Sequence, residues 1–273
     1  MRLSKNLGHE KIPEAGGWLK SEKLFGIYKK MPLSSRRALS VAAVKASQAY
    51  GQPPGAWYKA MVSDVALYKK QRGKQLKSED EKKKWPTGGF AALRKVATEF
   101  KRSIKNSISA SSLPGLYAYS QYIILRFYSE VAFRNDLATV RIGRGKDGNR
   151  LTKEKGIYTI VMREFKASDK IGVVTVKLSK ALSKAIDQYV KYRGKLSLDH
   201  DRLLVNSKGG ALSKKGLGQI LNKLTRKYLG KGFGTRMIRV LKVTSEKDAL
   251  DKAAKLAHDM LHSIDTSQTY ARK

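Results

Sequence analysis

The chain contains no cysteine. That excludes disulfide bonds and thiolate catalysis, and it suits a reducing compartment. Histidine is scarce, at 4 residues in 273, and with no cysteine to join it a structural zinc site is not expected. No apolar run approaches the roughly 20 residues of a membrane-spanning helix. The opening residues, MRLSKNLGHEKIPEAGGW, lack the apolar core of a secretory signal. Acidic residues are few as well: 22 Asp+Glu stand against 57 Lys+Arg, a net charge of +35.

What is present is a globular composition carrying that charge. Hydrophobic residues make up 41%, too many for a disordered basic tail. The length suits one large domain or two modest ones. An excess of this size points to a polyanionic partner, bound through phosphate neutralisation and release of counterions. With no apolar membrane segment, double-stranded DNA is the expected polyanion rather than a membrane surface. The excess is shared along the chain, +16 over residues 1–115 and +19 over the rest, so both halves are expected to touch the same partner.

Residues 1–30 are rich in Gly and Lys with weak periodicity and read as a poorly ordered basic lead-in. A helix is expected from Ser34 or Ser35, with Ala38, Val41, Val44, Ala46 and Ala49 at near-helical spacing, until Gly51-Gln-Pro-Pro-Gly55 breaks it. A second helix over 56–76 places Trp57, Met61, Val65 and Tyr68 on one face. A third, from Thr87 or Gly88 to about 106, turns Phe90, Leu93, Val96 and Phe100 inward. The Ser-rich link 107–115 reads as a boundary, giving a helical domain over 31–110 and a second domain over 111–273.

That second part opens with an apolar helix over 116–131. Ala138–Ile142 reads as a strand, 143–156 as a polar loop, and 157–165 and 172–178 as two strands across a turn at 168–170. Helices are expected over 179–195, 213–229, 235–241 and about 246–261. The fold class is therefore mainly α with a small antiparallel β-sheet (α+β).

Several residues carry chemistry in this frame. Arg134 stands in Phe-Arg-Asn-Asp-Leu, just before the first strand; a guanidinium fork suits two non-bridging phosphate oxygens, and an ion pair with Asp136 is the alternative use. Lys166 stands beside the turn between two strands, with Lys170 as its competitor. Arg236-Met-Ile-Arg239 puts two guanidiniums on one helical face. His262 precedes Ser263, with His258 as the substitute, and Tyr270 lies three residues from the end of the sequence. A phenol oxygen can displace a sugar oxygen from phosphorus when cations hold the developing charge and an acid protonates the leaving group.

In this order, Arg134, Lys166, Arg236-x-x-Arg239, His262-Ser263 and Tyr270 resemble the catalytic set of the tyrosine recombinases, also called phage-type integrases. The form it most resembles is that found in large DNA viruses of eukaryotes, virophages and related mobile elements. The resemblance covers about residues 116–273, with helical support from 34–106. It implies a helical core-site binding domain, a catalytic domain and a clamp around duplex DNA. It further implies a site-specific recombinase or integrase in which Tyr270 forms a 3′-phosphotyrosyl link, Arg134 and Arg239 hold the scissile phosphate and Lys166 protonates the 5′ oxygen. No cofactor or metal is required, because the bond energy is conserved. Self-association into dimers or tetramers on DNA is implied, with an intracellular location in the nucleus, a viral replication compartment or the virion. Three departures stand out: Arg236 replaces the usual histidine, Leu261 replaces the usual glycine before His262, and many relatives continue past the tyrosine into a docking helix. A non-catalytic DNA-binding or packaging protein and a type IB topoisomerase are the alternatives. The Ser-Lys-x-x-Tyr element of the latter is missing from Ser267-Gln-Thr-Tyr270.

Overall fold

A computed structural model describes residues 13–14, 16–108 and 111–259. The chain divides into two compact units between Ser78 and Glu79. The first is helical: a short 3-10 turn (Gly16–Lys20), then α1 (Glu22–Lys29), α2 (Leu33–Ala49) and α3 (Gly55–Gly73). Its core gathers Leu19, Leu24, Tyr28, Ala43, Val44 and Trp57.

Residues 16–29 are thus helical, in a stretch where a poorly ordered lead-in is expected over 1–30. The reason is aromatic packing that a charge-weighted reading overlooks. Phe25 stacks on Trp57 with ring centroids 4.1 Å apart, Tyr28 meets the same ring edge-on at 5.4 Å, and Trp57 donates its indole N–H to the Leu19 carbonyl at 2.7 Å. The Tyr28 hydroxyl donates to the buried Asp64 carboxylate at 2.6 Å, and Arg36 pairs with the same carboxylate at 2.8 Å. Burial, followed by the Asp64 bond, pushes the Tyr28 phenol up to about 12, so it stays a donor. Trp57→Ala should destabilise this unit by about 3–5 kcal/mol. Urea unfolding of the full chain, with limited proteolysis mapping the weakened residues, checks this; cleavage sites confined beyond Ser78 would contradict it.

The second unit holds α4 (Glu79–Lys84), α5 (Ala92–Ser103), α6 (Leu113–Tyr128), β1 (Arg141–Ile142), β2 (Arg150–Glu154), β3 (Ile157–Met162), a one-turn α7 (Ser168–Ile171), β4 (Val174–Lys177), α8 (Lys180–Arg193), α9 (Lys214–Leu229), α10 (Thr235–Ser245) and α11 (Lys247–Asp259). Helix α6 is buried nearly all round, through Leu116, Tyr119, Ile123, Ile124, Leu125, Phe127 and Tyr128, and is the axis of the core. Helix α5 packs on it through Leu93, Val96 and Phe100, the expected face. This helix belongs to the larger unit, so the division between units lies upstream of the expected link at 107–115. Serine side chains cap α8 and α9: Ser179 accepts from the Leu182 amide at 3.1 Å and Ser213 from the Gly216 amide at 3.0 Å.

The protein is mainly α with one small sheet, in the order β1-β2-β3-β4. The sheet is mixed: β1 runs parallel to β2, while β2–β3 and β3–β4 are antiparallel. The expected strand over 138–142 is a 3-10 turn (Asn135–Thr139) followed by the two-residue β1. Strand β2 occupies a range expected to be loop. Its sequence, RLTKE, buries only Leu151, so it carries almost no apolar signal. Its place is set by a tight turn and by one side chain. Lys155 and Gly156, both at positive φ (46° and 80°), close the β2–β3 hairpin in two residues. The buried Asn149 amide donates to Thr139 Oγ1 (2.6 Å) and to the Glu164 carbonyl (2.9 Å), and its oxygen accepts from the amides of Arg163 (2.8 Å) and Glu164 (2.9 Å). That staple joins the entry of β2 to the exit of β3, just before Lys166.

Candidate active site

Arg134 sits at the N-terminal boundary of the Asn135–Thr139 turn with an extended backbone and an exposed side chain. Its position is held from behind. Tyr128, at the end of α6, donates its hydroxyl to the Arg134 carbonyl at 2.6 Å. Burial, and then the charge of Asp136, hold this phenol well above its ordinary range, so Tyr128 is a fixed donor and not a nucleophile.

The next residue ties the turn to two helices. Asn135 donates through Nδ2 to the carbonyl of Lys214 at the start of α9 (2.9 Å) and accepts through Oδ1 from the hydroxyl of Thr235, the first residue of α10 (2.8 Å). Asp136 is buried and paired with Lys214 Nζ. The alternative pairing of Arg134 with Asp136 is therefore not formed, and the Arg134 side chain has no carboxylate partner among the described residues.

Arg239 lies one turn beyond Thr235 on α10, on the same helical side. It is half-buried, and its Nε finds no hydrogen-bond partner among the described residues. Burial lowers its affinity for its proton, and the neighbouring Arg134 charge lowers it further. Arg236 contributes to this repulsion after Tyr128 has partly offset it. Two guanidiniums from distant parts of the chain thus share one electrostatic neighbourhood, in which the Asp136 carboxylate offsets a smaller part of the repulsion on Arg239. An arginine stays protonated in such surroundings.

The remaining residues are distributed as follows. Arg236 is exposed, with its guanidinium 3.9 Å from Glu81 of α4. Lys166 and Lys170 stand exposed on the β3–β4 connection, Lys166 in the turn before α7 and Lys170 within it. Neither is among the charges that act on Arg239. His258 is exposed on α11, 3.6 Å from Asp259. His262 and Tyr270 lie outside the described residues, as does Leu261. Sequence reasoning found the arginines and missed what holds them: Tyr128, Asn135, Lys214 and Thr235. The one local signal was an asparagine directly after Arg134.

No protein-family model matches the chain, and no relative is found among curated sequences. Among solved structures the chain is similar to the XerA recombinase, at 16% identity over 99% of this chain and 92% of that one, with a TM-score of 0.41. It is also similar to the XerH site-specific recombinase bound to palindromic difH substrate in a post-cleavage complex, at 17% identity over 100% of this chain and 72% of that one, with a TM-score of 0.45. For the XerH pre-cleavage complex with its difH substrate the identity is 19%, over 65% of this chain and 48% of that one, with a TM-score of 0.36.

Proposed function

We propose that this chain is a DNA strand transferase of the tyrosine recombinase kind, which cuts and rejoins DNA through a 3′-phosphotyrosyl intermediate. The observation that carries the reading is the Arg134–Arg239 pair: two cations that act on one another, their elements tied by neutral hydrogen bonds, with neither in an ion pair among the described residues. Uncompensated like charges cost stability unless an anion joins them. A phosphodiester is the anion that a chain of net charge +35 would meet.

In this reading the two guanidiniums hold the non-bridging oxygens of the scissile phosphate and stabilise the charge that builds on them. The Tyr270 oxygen attacks phosphorus and loses its proton to solvent, the phosphorus–5′ oxygen bond breaks, and Lys166 supplies a proton to the departing oxygen. The reverse attack by a 5′ hydroxyl reseals the strand, so no nucleotide is consumed. Arg236, 3.9 Å from Glu81, adds positive potential. His262 donates to the same phosphate. The first unit and the basic surface of the second bind the duplex, and copies of the chain pair on DNA to exchange strands, as suits a viral or other mobile element.

The test is a duplex carrying a nick just beyond the cleavage position, so that the released fragment diffuses away and the covalent product accumulates. The expected result is a protein–DNA adduct on the termini of the element encoding this chain. Salt-sensitive binding without an adduct would instead favour the packaging reading, and relaxation of supercoils by monomers the topoisomerase.

A further inference from the structure

We infer that Asn135 is a positioning residue, whose side-chain amide couples the Arg134 turn to the Arg239 helix so that both guanidiniums address one phosphate. The inference rests on the reading of that pair as a phosphate site. Asn135 is the only residue described at which the Arg134 turn, the start of α9 and the start of α10 meet through one side chain. Its orientation is dictated by its partners. The Lys214 carbonyl can only accept, so it faces Nδ2; the Thr235 hydroxyl then donates to Oδ1. A side chain on Gly218 of α9 would come within 3.2 Å of that Nδ2, so α9 approaches the amide closely at a residue with no side chain of its own.

The electrostatics explain why the tie is neutral. Arg134 and Arg239 repel one another, and the turn bearing Arg134 needs an anchor to stay beside α10. A carboxylate at position 135 could still accept from Thr235 but could not donate to the Lys214 carbonyl, and its charge would compete with the phosphate for the guanidiniums. An amide anchors the turn and leaves the two positive charges unspent. Because Thr235 and Arg239 are one helical turn apart, fixing the Thr235 hydroxyl also fixes the rotation of α10 that aims Arg239.

The full chain with Asn135→Ala or Thr235→Val should form adduct on the nicked duplex about 10²-fold more slowly, the scale expected for a displacement of about 1 Å at a reacting centre. Thr235→Ser, which keeps the hydroxyl, should recover most of the rate lost in Thr235→Val. Asn135→Asp should be slow despite retaining its acceptor for Thr235. A second measurement does not depend on catalysis. Inorganic phosphate is titrated while the arginine Nε–H signals are followed by nitrogen-15 NMR. In the wild type the Arg134 and Arg239 signals should shift together with one midpoint; in Asn135→Ala the midpoint should rise several-fold and the two responses separate. Unchanged rates in Asn135→Ala, or an unchanged shared midpoint, overturn the inference. A wild type that forms no adduct overturns the catalytic reading alone, since the phosphate titration still decides the role of Asn135.

Discussion

Arg239→Ala is expected to slow formation of the covalent adduct by about 10²–10³-fold, the loss seen when one donor to a developing oxyanion is removed. Affinity for duplex DNA should change little, because one charge is removed from an excess of +35. Stability supplies the sharper test. Arg239 is half-buried, has an unsatisfied Nε among the described residues and is repelled by Arg134. A structural arginine would lower the melting temperature when removed. This one should leave it unchanged or raise it, because the substitution relieves repulsion and an unmet donor, as at a site where stability is given up for function. Arg239→Lys should remain slow, since an ammonium lacks the two-pronged donor geometry. Replacing a non-bridging phosphate oxygen with a methyl group lowers the charge that the site must hold, so Arg239→Ala should recover part of its rate on that substrate. A fall in DNA affinity as large as the fall in rate would reduce Arg239 to an ordinary phosphate contact.

Tyr270→Phe is expected to remove the adduct altogether while leaving DNA binding intact, because no other group can form the phosphotyrosyl bond once the nucleophilic oxygen is gone. The expectation is specific among the 13 tyrosines of the chain. The Arg239 charge acts on Tyr128, yet this phenol is buried, its hydroxyl is committed to the Arg134 carbonyl and it is held far from ionisation. Tyr189 is likewise buried and donates to the Leu203 carbonyl. Adduct that persists in Tyr270→Phe, mapped by peptide sequencing to another tyrosine, would contradict the assignment. Adduct absent from both wild type and variant on every sequence offered would remove catalysis from the reading and leave a binding protein.

Much of the second unit was legible along the chain because its signals are local. The apolar face of α5, with Leu93, Val96 and Phe100, follows from helical spacing alone, and the serines at 179 and 213 announce the helices they cap. The β3–β4 hairpin bearing Lys166 was legible from its β-branched strands. Strand β2 was not, because it buries one residue and is placed by the Asn149 staple and by a two-residue turn. Residues 16–29 were not either: their cores are Leu19, Leu24 and Tyr28 against Trp57, and that pairing spans 29 to 38 positions. In both cases the deciding contacts join residues that no local window holds together.

The same division applies to the site. Charge, composition and the order of Arg134, Lys166, Arg236, Arg239, His262 and Tyr270 follow from the amino acids alone, and they set the class of partner and the chemistry proposed, since charge and functional groups belong to each residue wherever it lies. That Arg134 and Arg239 act on one another, that Asp136 is spent on Lys214, and that Arg236 faces Glu81 were decided by tertiary structure. The Asn135 amide likewise meets Lys214 and Thr235 across 79 and 100 positions, and a hydrogen bond between such distant partners exists only after the helices have packed.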